Sequence, residues 1–382
     1  MAQLTVPTHI ITGKGALDEA KCYIKSYGKK ALIVTGKHVV ESTMMQMLID
    51  ILDDIDVEYS IFDGITGEPT DCMIEEGIKL YQETNCEFLI GIGGGSPLDS
   101  AKAIGAMITN PGAIADYNGK EIPNMIPPVV AIPTTAGTGS EATKFTIITD
   151  TKKDIKMLLK GDYLIPNLAI VDYELGMTAP KSVTAATGLD ALTHAVEAYT
   201  SKKATVMTDT LAVSAIKRIV RYLPIVYRDG TNEEAREEMA IAALEAGICI
   251  NNSSVTLVHG MSRPIGALFH VPHGMSNAML LTKCMAFAAI NVTDRLAILA
   301  RETKVATLEE SDTIAADKFL TKLDKICKIC DIPTLSGYGI DQDKYESVIE
   351  KMATDAVASG SPSNTRRDVT KEDCMKLYKE VY

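Results

Sequence analysis

Glu87-Phe-Leu-Ile-Gly-Ile-Gly-Gly-Gly-Ser-Pro-Leu-Asp-Ser-Ala-Lys-Ala-Ile-Gly105 joins an apolar run to a glycine loop and then to a helical pattern. Residues 87–92 are short, apolar and partly β-branched, as a buried parallel strand is. Ser96 suits a helix N-cap, Pro97 the first helical position, and Asp99, three residues after Ser96, makes a capping-box-like pair. Gly93, Gly94 and Gly95 would let backbone N–H groups approach an anion at the positive end of that helix, which is how a pyrophosphate is held. The loop is not a Walker A motif, and Gly91-Ile-Gly93-Gly-Gly-Ser96 departs from Gly-x-Gly-x-x-Gly by ending in serine. An ordinary tight strand-to-helix turn would have the same pattern.

Working outward, further strand-like runs lie at 31–35, 57–62, 128–132 and 168–172, with crossover-length helical stretches at 42–52 and 71–84. Strands alternating with helices predict a βαβ sheet covered on both faces. A second small-residue loop, Pro133-Thr-Thr-Ala-Gly-Thr-Gly-Ser-Glu141, follows the strand at 128–132. It reads alone as a polar loop. Two such loops at the carboxyl ends of neighbouring strands are what a dinucleotide crevice requires. From about residue 180 the strand pattern stops, and helical windows take over at 182–199, 208–222, 232–251, 291–303, 315–330 and 345–358. The expectation is two domains, 1–180 dinucleotide-binding α/β and 181–382 all-helical, since single cores stop growing near ~250–300 residues.

Four of the six histidines fall in two segments of the helical half, Gly188-Leu-Asp-Ala-Leu-Thr-His-Ala-Val-Glu-Ala-Tyr199 and Val258-His-Gly-Met-Ser-Arg-Pro-Ile-Gly-Ala-Leu-Phe-His-Val-Pro-His-Gly274. Asp190 and His194, four apart on a helix, leave the same face about 5–6 Å apart. His259 and His273 would be about 21 Å apart on one straight helix. The chain must turn between them to bring both to one ion, and Pro264, Gly266, Pro272 and Gly274 are the expected turn residues. One carboxylate with three imidazoles suits a borderline divalent metal such as Fe(II) or Zn(II) better than Mg or Ca.

The net charge of −12, with both signs interspersed, argues against nucleic acid and anionic membranes and for small-molecule partners. Met1-Ala-Gln-Leu-Thr-Val-Pro has neither the charged start nor the apolar core of a signal peptide, and no apolar run reaches a spanning length, so a cytoplasmic protein is expected. The eight cysteines are scattered and read as reduced core or semi-buried thiols; Cys327 and Cys330, the one Cys-x-x-Cys, fit helix packing.

Four motifs, Gly-Gly-Gly-Ser-x-x-Asp-x-x-Lys (93–102), Pro-Thr-Thr-Ala-Gly-Thr-Gly-Ser-Glu (133–141), Gly-x-Asp-Ala-Leu-x-His-Ala-x-Glu (188–197) and the histidines at 259 and 273, occur in the order found in the iron-dependent, or group III, alcohol dehydrogenases. The chain resembles that family over nearly its whole length. The resemblance implies a Rossmann-like N-terminal domain and a helical C-terminal domain, the dehydroquinate synthase-like two-domain fold, with a cleft between them. It implies one divalent metal, most often iron, on Asp190, His194, His259 and His273. It also implies NAD or NADP at Gly93, Gly94, Gly95, Ser96, Asp99, Thr134, Thr135, Thr138 and Lys156, and a homodimer or larger assembly. The implied reaction passes hydride between nicotinamide C4 and the carbon of a small aldehyde or alcohol, with the metal polarising the substrate oxygen. Two other classes share the plan: a dehydroquinate synthase-like metal-dependent lyase, and a noncatalytic NAD-binding protein. The lyase would need a basic cluster near the metal, which the sequence lacks, and the intact ligand set argues against the noncatalytic protein.

Two departures from the family pattern stand out. In Val34-Thr-Gly-Lys-His38, Gly36 occupies the place where the family often has an acidic residue that binds the adenosine ribose, which should relax discrimination against NADPH. Gly36 is equally a simple turn residue. Arg263 stands where many members have a nonligand histidine; arginine cannot relay a proton near neutral pH but can clamp a carboxylate, sulfonate or phosphonate. The expected substrate is then an aldehyde with an anionic tail, such as a semialdehyde acid or sulfoacetaldehyde. Glu197 could orient a ligand imidazole, although a solvated helix face is the expectation for it.

Overall fold

The computed structural model describes residues 3–153 and 155–382. Met1 and Ala2, where the N-terminal leader reading begins, lie outside the described residues. The chain forms two compact units, one of Thr5–Ala179 and one containing Pro180–Tyr382.

In the first unit, β1 (His9–Thr12), β2 (Lys30–Val34), β3 (Glu58–Phe62), β4 (Phe88–Gly93), β5 (Val129–Pro133) and β8 (Leu168–Val171) form a wholly parallel sheet in the order β1-β8-β5-β4-β2-β3. Side chains alternate across such a sheet with period two. Ile33, Phe88, Ile90, Ile92 and Ile132 therefore join Leu48 and Leu52 of α1 (Thr43–Asp54) on one face. Leu32, Val34, Leu89 and Val129 join Ile74 of α2 (Asp71–Glu83) and Ala101 and Ile104 of α3 (Gly95–Thr109) on the other. Burial on both faces is why these strands read as unbroken apolar runs. The short edge strand β1 and the separate antiparallel hairpin of β6 (Phe145–Asp150) and β7 (Ile155–Lys160) were not expected from the sequence.

The second unit is helical among its described residues. Its centre is α4 (Lys181–Thr200), which packs against α5 (Val206–Arg228), α6 (Glu233–Asn252) and, further along the chain, α8 (His273–Ala288). A helix enclosed this way is buried all round, and from Gly188 to Thr200 every residue of α4 is. Between α6 and α8 lies α7 (Leu257–Phe269). The turn includes Pro272, as expected, but not the other three residues expected to make it. Pro264 and Gly266 lie inside α7, and Gly274 lies inside α8. The chain reverses at His270, whose φ is 54°, followed by Val271 and Pro272. Four more helices complete the unit: α9 (Thr293–Glu302), α10 (Asp312–Ile329), α11 (Gln342–Ala358) and α12 (Lys371–Val381). Cys327 and Cys330 are buried at the end of α10, whereas Cys22 and Cys72 are exposed, against the expectation of covered thiols. Among the described residues no single helix is long and apolar enough to cross a membrane.

Candidate metal centre and cofactor loops

Three helices of the second unit converge. Asp190 and His194 come from the middle of α4, His259 from the first turn of α7, and His273 begins α8. One ligand atom from each lies within 4.8 Å of all the others. Asp190 Oδ1 is 3.9, 3.8 and 3.7 Å from the Nε2 atoms of His194, His259 and His273. The rings of His194 and His259 stack at 4.6 Å, and only His273 is appreciably open to solvent.

The protonation states suit a cation. Burial, then the neighbouring His194 and His273, pushes the His259 pKa well below its ordinary value, so the ring is neutral. Burial works against the ionised form of Asp190, but His194, His273, His259 and the Asn277 amide outweigh it and hold its pKa below the usual one. Neutral imidazoles and an ionised carboxylate are the forms that bind metal. His194 Nδ1 is buried without a partner. The donor set and its spacing fit a divalent ion of the iron or zinc kind.

Glu197 corrects the expectation of a solvated face, because α4 has no exposed face there and the residue is 0% exposed. Its Oε2 is 2.5 Å from His259 Nδ1, while Oε1 accepts from Thr256 Oγ1 and the Val258 N–H, each at 2.6 Å. Burial raises its pKa and the hydrogen bonds from Thr256 and Val258 oppose the rise. A carboxylate on Nδ1 fixes the tautomer that turns the Nε2 lone pair toward the other ligands. Asn277, one turn after His273, donates from Nδ2 to Asp190 Oδ1 at 2.7 Å. Neither Asn277 nor Thr256 was singled out from the sequence; the four-residue spacing from His273 was the one available signal for Asn277.

The profile of the iron-containing alcohol dehydrogenases matches residues 7–173, and that of the C-terminal region of the Fe-containing alcohol dehydrogenase family matches residues 184–382. The chain belongs to the iron-containing alcohol dehydrogenase family. It is 36% identical to the NAD-dependent methanol dehydrogenase of Bacillus methanolicus, with 100% of both chains covered. Among solved structures it is similar to a 1,3-propanediol oxidoreductase, with TM-score 0.96, 33% identity and 100% of both chains covered. It also resembles the sulfoacetaldehyde reductase of Bifidobacterium kashiwanohense in complex with NAD+, with TM-score 0.88 and 28% identity over 100% of this chain and 98% of that one.

In this family member the two small-residue loops of the first unit touch. Thr134 N–H donates to the Gly93 carbonyl at 2.8 Å, and a Cβ on Gly95 would lie 2.8 Å from Thr138 Cγ2. Thr135 lies beside Gly94. Gly93, Gly94, Gly95, Ser96, Thr134, Thr135 and Thr138 are thus gathered at the carboxyl ends of β4 and β5. Helix α3 starts at Gly95 with Gly94 as its N-cap and no side-chain cap, so the expected Ser96–Asp99 capping pair does not form. Asp99 reaches across to the second loop instead, accepting from Ser140 Oγ at 2.5 Å and the Ile147 N–H at 2.8 Å. With both oxygens engaged, it holds the cradle together. Lys102, fully buried, does the same by donating to the carbonyls of Ser140, Thr143 and Phe145. Lys156, on β7, pairs with Glu68 at 2.7 Å.

Gly36 follows β2, and a Cβ there would meet the Ile65 carbonyl oxygen at 2.8 Å, so this backbone leaves no room for an acidic side chain. The kcat/KM for NADPH is accordingly expected within about tenfold of that for NADH, a gap of ~1.4 kcal/mol or less. Parallel kinetics with both cofactors test this, and an NADH preference above about a thousandfold overturns it.

Glu141 closes the second loop. It is buried, and its Oε2 has no partner. Burial pushes its carboxyl up to about 7, against a partial pull from its own backbone hydrogen bond and Lys102. A carboxyl whose pKa is raised on folding contributes fully below its unfolded value of 4.5 and loses that contribution as pH rises through about 7. Melting curves across this window should show Glu141→Gln gaining on the parent as pH rises, with the gap constant above it. A gap independent of pH would mean that Glu141 does not titrate there.

Proposed function

We propose that this protein is a metal-dependent, NAD(P)-linked alcohol dehydrogenase working as a reductase of small aldehydes, with Asp190, His194, His259 and His273 holding one Fe(II) or Zn(II). The convergence of those four donors from three helices within 4.8 Å carries the reading. Family membership and the activities of the methanol dehydrogenase and propanediol oxidoreductase relatives support it. When bound, the cation supplies Lewis acidity toward the substrate oxygen, and the nicotinamide supplies the hydride.

The chain's own residues do the positioning. Glu197 holds His259 in the tautomer whose Nε2 carries a lone pair, and the Asn277 Nδ2 amide lies among the ligand atoms, 2.7 Å from Asp190 Oδ1, 3.0 Å from His259 Nε2 and 3.2 Å from His273 Nε2. The loops 93–96 and 134–138 offer backbone N–H groups and threonine hydroxyls to the dinucleotide. Lys156 is proposed to reach the cofactor only by leaving Glu68, and Asp99 serves it indirectly. The eight free cysteines support a reducing, cytoplasmic location, and the full-length resemblance to the family supports a homodimer or larger assembly.

Anaerobic reconstitution with Fe(II) or Zn(II), followed by the near-ultraviolet absorbance of NADH and NADPH with a panel of aldehydes and alcohols, tests the reading. Metal-dependent turnover is expected. Its absence with every substrate, in protein that has taken up stoichiometric metal, would refute it.

A further inference from the structure

Arg263 lies four residues beyond His259 on α7, so both side chains leave the same face of the helix about 5–6 Å apart. Its side chain is half-buried, and it forms no ion pair or hydrogen bond with any described residue. The other arginines shielded to a similar or greater degree all donate to an acceptor. Arg218 reaches Glu238, Arg236 the Gly230 carbonyl, Arg295 Asp209, Arg301 Asp312, Arg366 the Ser201 carbonyl and Arg367 the Phe287 carbonyl.

Among the described residues, Glu197 is the carboxylate whose charge acts on Arg263. It is already committed: Oε1 holds Thr256 and Val258, and Oε2 holds His259. A guanidinium drawn from water without a counter-charge is costly unless an anion arrives to pair with it. Its planar fork matches a carboxylate or sulfonate through two parallel hydrogen bonds.

Resting on the function proposed above, we infer that Arg263 is a specificity-determining residue and that the preferred substrate is a short aldehyde carrying one carboxylate or sulfonate at its far end. The guanidinium holds the anionic tail while the carbonyl sits at the Asp190 and histidine cluster. A bound NAD(P)H would supply the hydride and water the proton, so that aldehyde and NAD(P)H become alcohol and NAD(P)+ with the anionic group unchanged.

The experiment compares kcat/KM of the metal-loaded enzyme for succinic semialdehyde and sulfoacetaldehyde with that for butanal and propanal, in the parent, Arg263→Gln and Arg263→Lys. The parent should favour at least one charged substrate by about tenfold to a hundredfold, the range of a charge-assisted hydrogen-bond pair. Which of the two it favours separates a carboxylate from a sulfonate tail. Arg263→Gln should collapse the ratio toward unity, with the loss carried by KM for the charged substrate, and Arg263→Lys should recover part of it. Calorimetric titration of the folded parent with succinate and with ethanesulfonate supplies a readout that needs no turnover, and Arg263→Gln should weaken the tighter of the two. Efficient reduction of neutral aldehydes with no charged preference would overturn the inference and leave the proposed function intact. A charged preference that survives Arg263→Gln would also overturn it. No turnover of any aldehyde would remove the underlying function instead.

Discussion

Changing Asp190 and His194 together to alanine should reduce aldehyde turnover by at least about a thousandfold, since Lewis-acid assistance contributes several kcal/mol and each ~1.4 kcal/mol is a factor of ten. The two residues supply half of a ligand set drawn from three helices, and the remaining pair, His259 and His273, cannot enclose an ion. Metal content after gel filtration should fall from one per chain toward none, while binding of NADH to the loops of the first unit should persist. The mechanism is untenable if the double variant turns over like the parent, or if it retains stoichiometric metal.

The next-largest effect is expected at Glu197. Alanine there would strand the Thr256 hydroxyl, the Val258 N–H and His259 Nδ1 in a fully buried place. Each buried polar group left unpaired costs about 1–3 kcal/mol, so a loss of roughly 3 kcal/mol or more is expected. That corresponds to a fall of about 10 °C in Tm for a unit of this size. Glutamine separates folding from metal binding. Its carbonyl oxygen can still accept from Thr256 and Val258, but its amide donates to His259 Nδ1 and forces the proton onto Nε2, the atom facing the other ligands. Glu197→Gln should therefore fold like the parent and bind metal about tenfold to a hundredfold more weakly. Titration with Zn(II) against a chromophoric chelator measures this, and parental affinity in Glu197→Gln would show that the carboxylate does not set the tautomer.

The sequence is most transparent where one physical rule acts alone. β2, β4, β5 and β8 are nearly all buried and announce themselves as apolar runs. Asp190 and His194 needed only helical spacing. Legibility fails where a contact is made across the fold. Asp99 has the spacing of a capping residue, yet its partners Ser140 and Ile147 lie about forty to fifty positions away. Glu197 looks like a polar stop on an amphipathic face, but α4 is enclosed by helices on every side and has no such face. Proline at 264 was expected to break the helix and does not, because the turn falls later, at His270, one of the residue types enriched at positive φ, and at Pro272, which was among the expected turn residues. The edge strand β1 is four residues long, too short for a periodicity to register, and in the β6–β7 hairpin burial does not follow residue type, since Thr146 and Asp150 are buried while Ile155 is exposed.

Gly274, next to His273, has a wider consequence. A methyl group there would fall 2.3 Å from the Ala186 carbonyl oxygen and 3.2 Å from the Asp190 Cβ, so α8 abuts the main chain of α4 directly. The bite of the chelate is thereby gauged by skeleton against skeleton, not by adjustable rotamers. Refitting this protein to an ion of different radius would require moving one helix along another, a far harder change than exchanging a ligand.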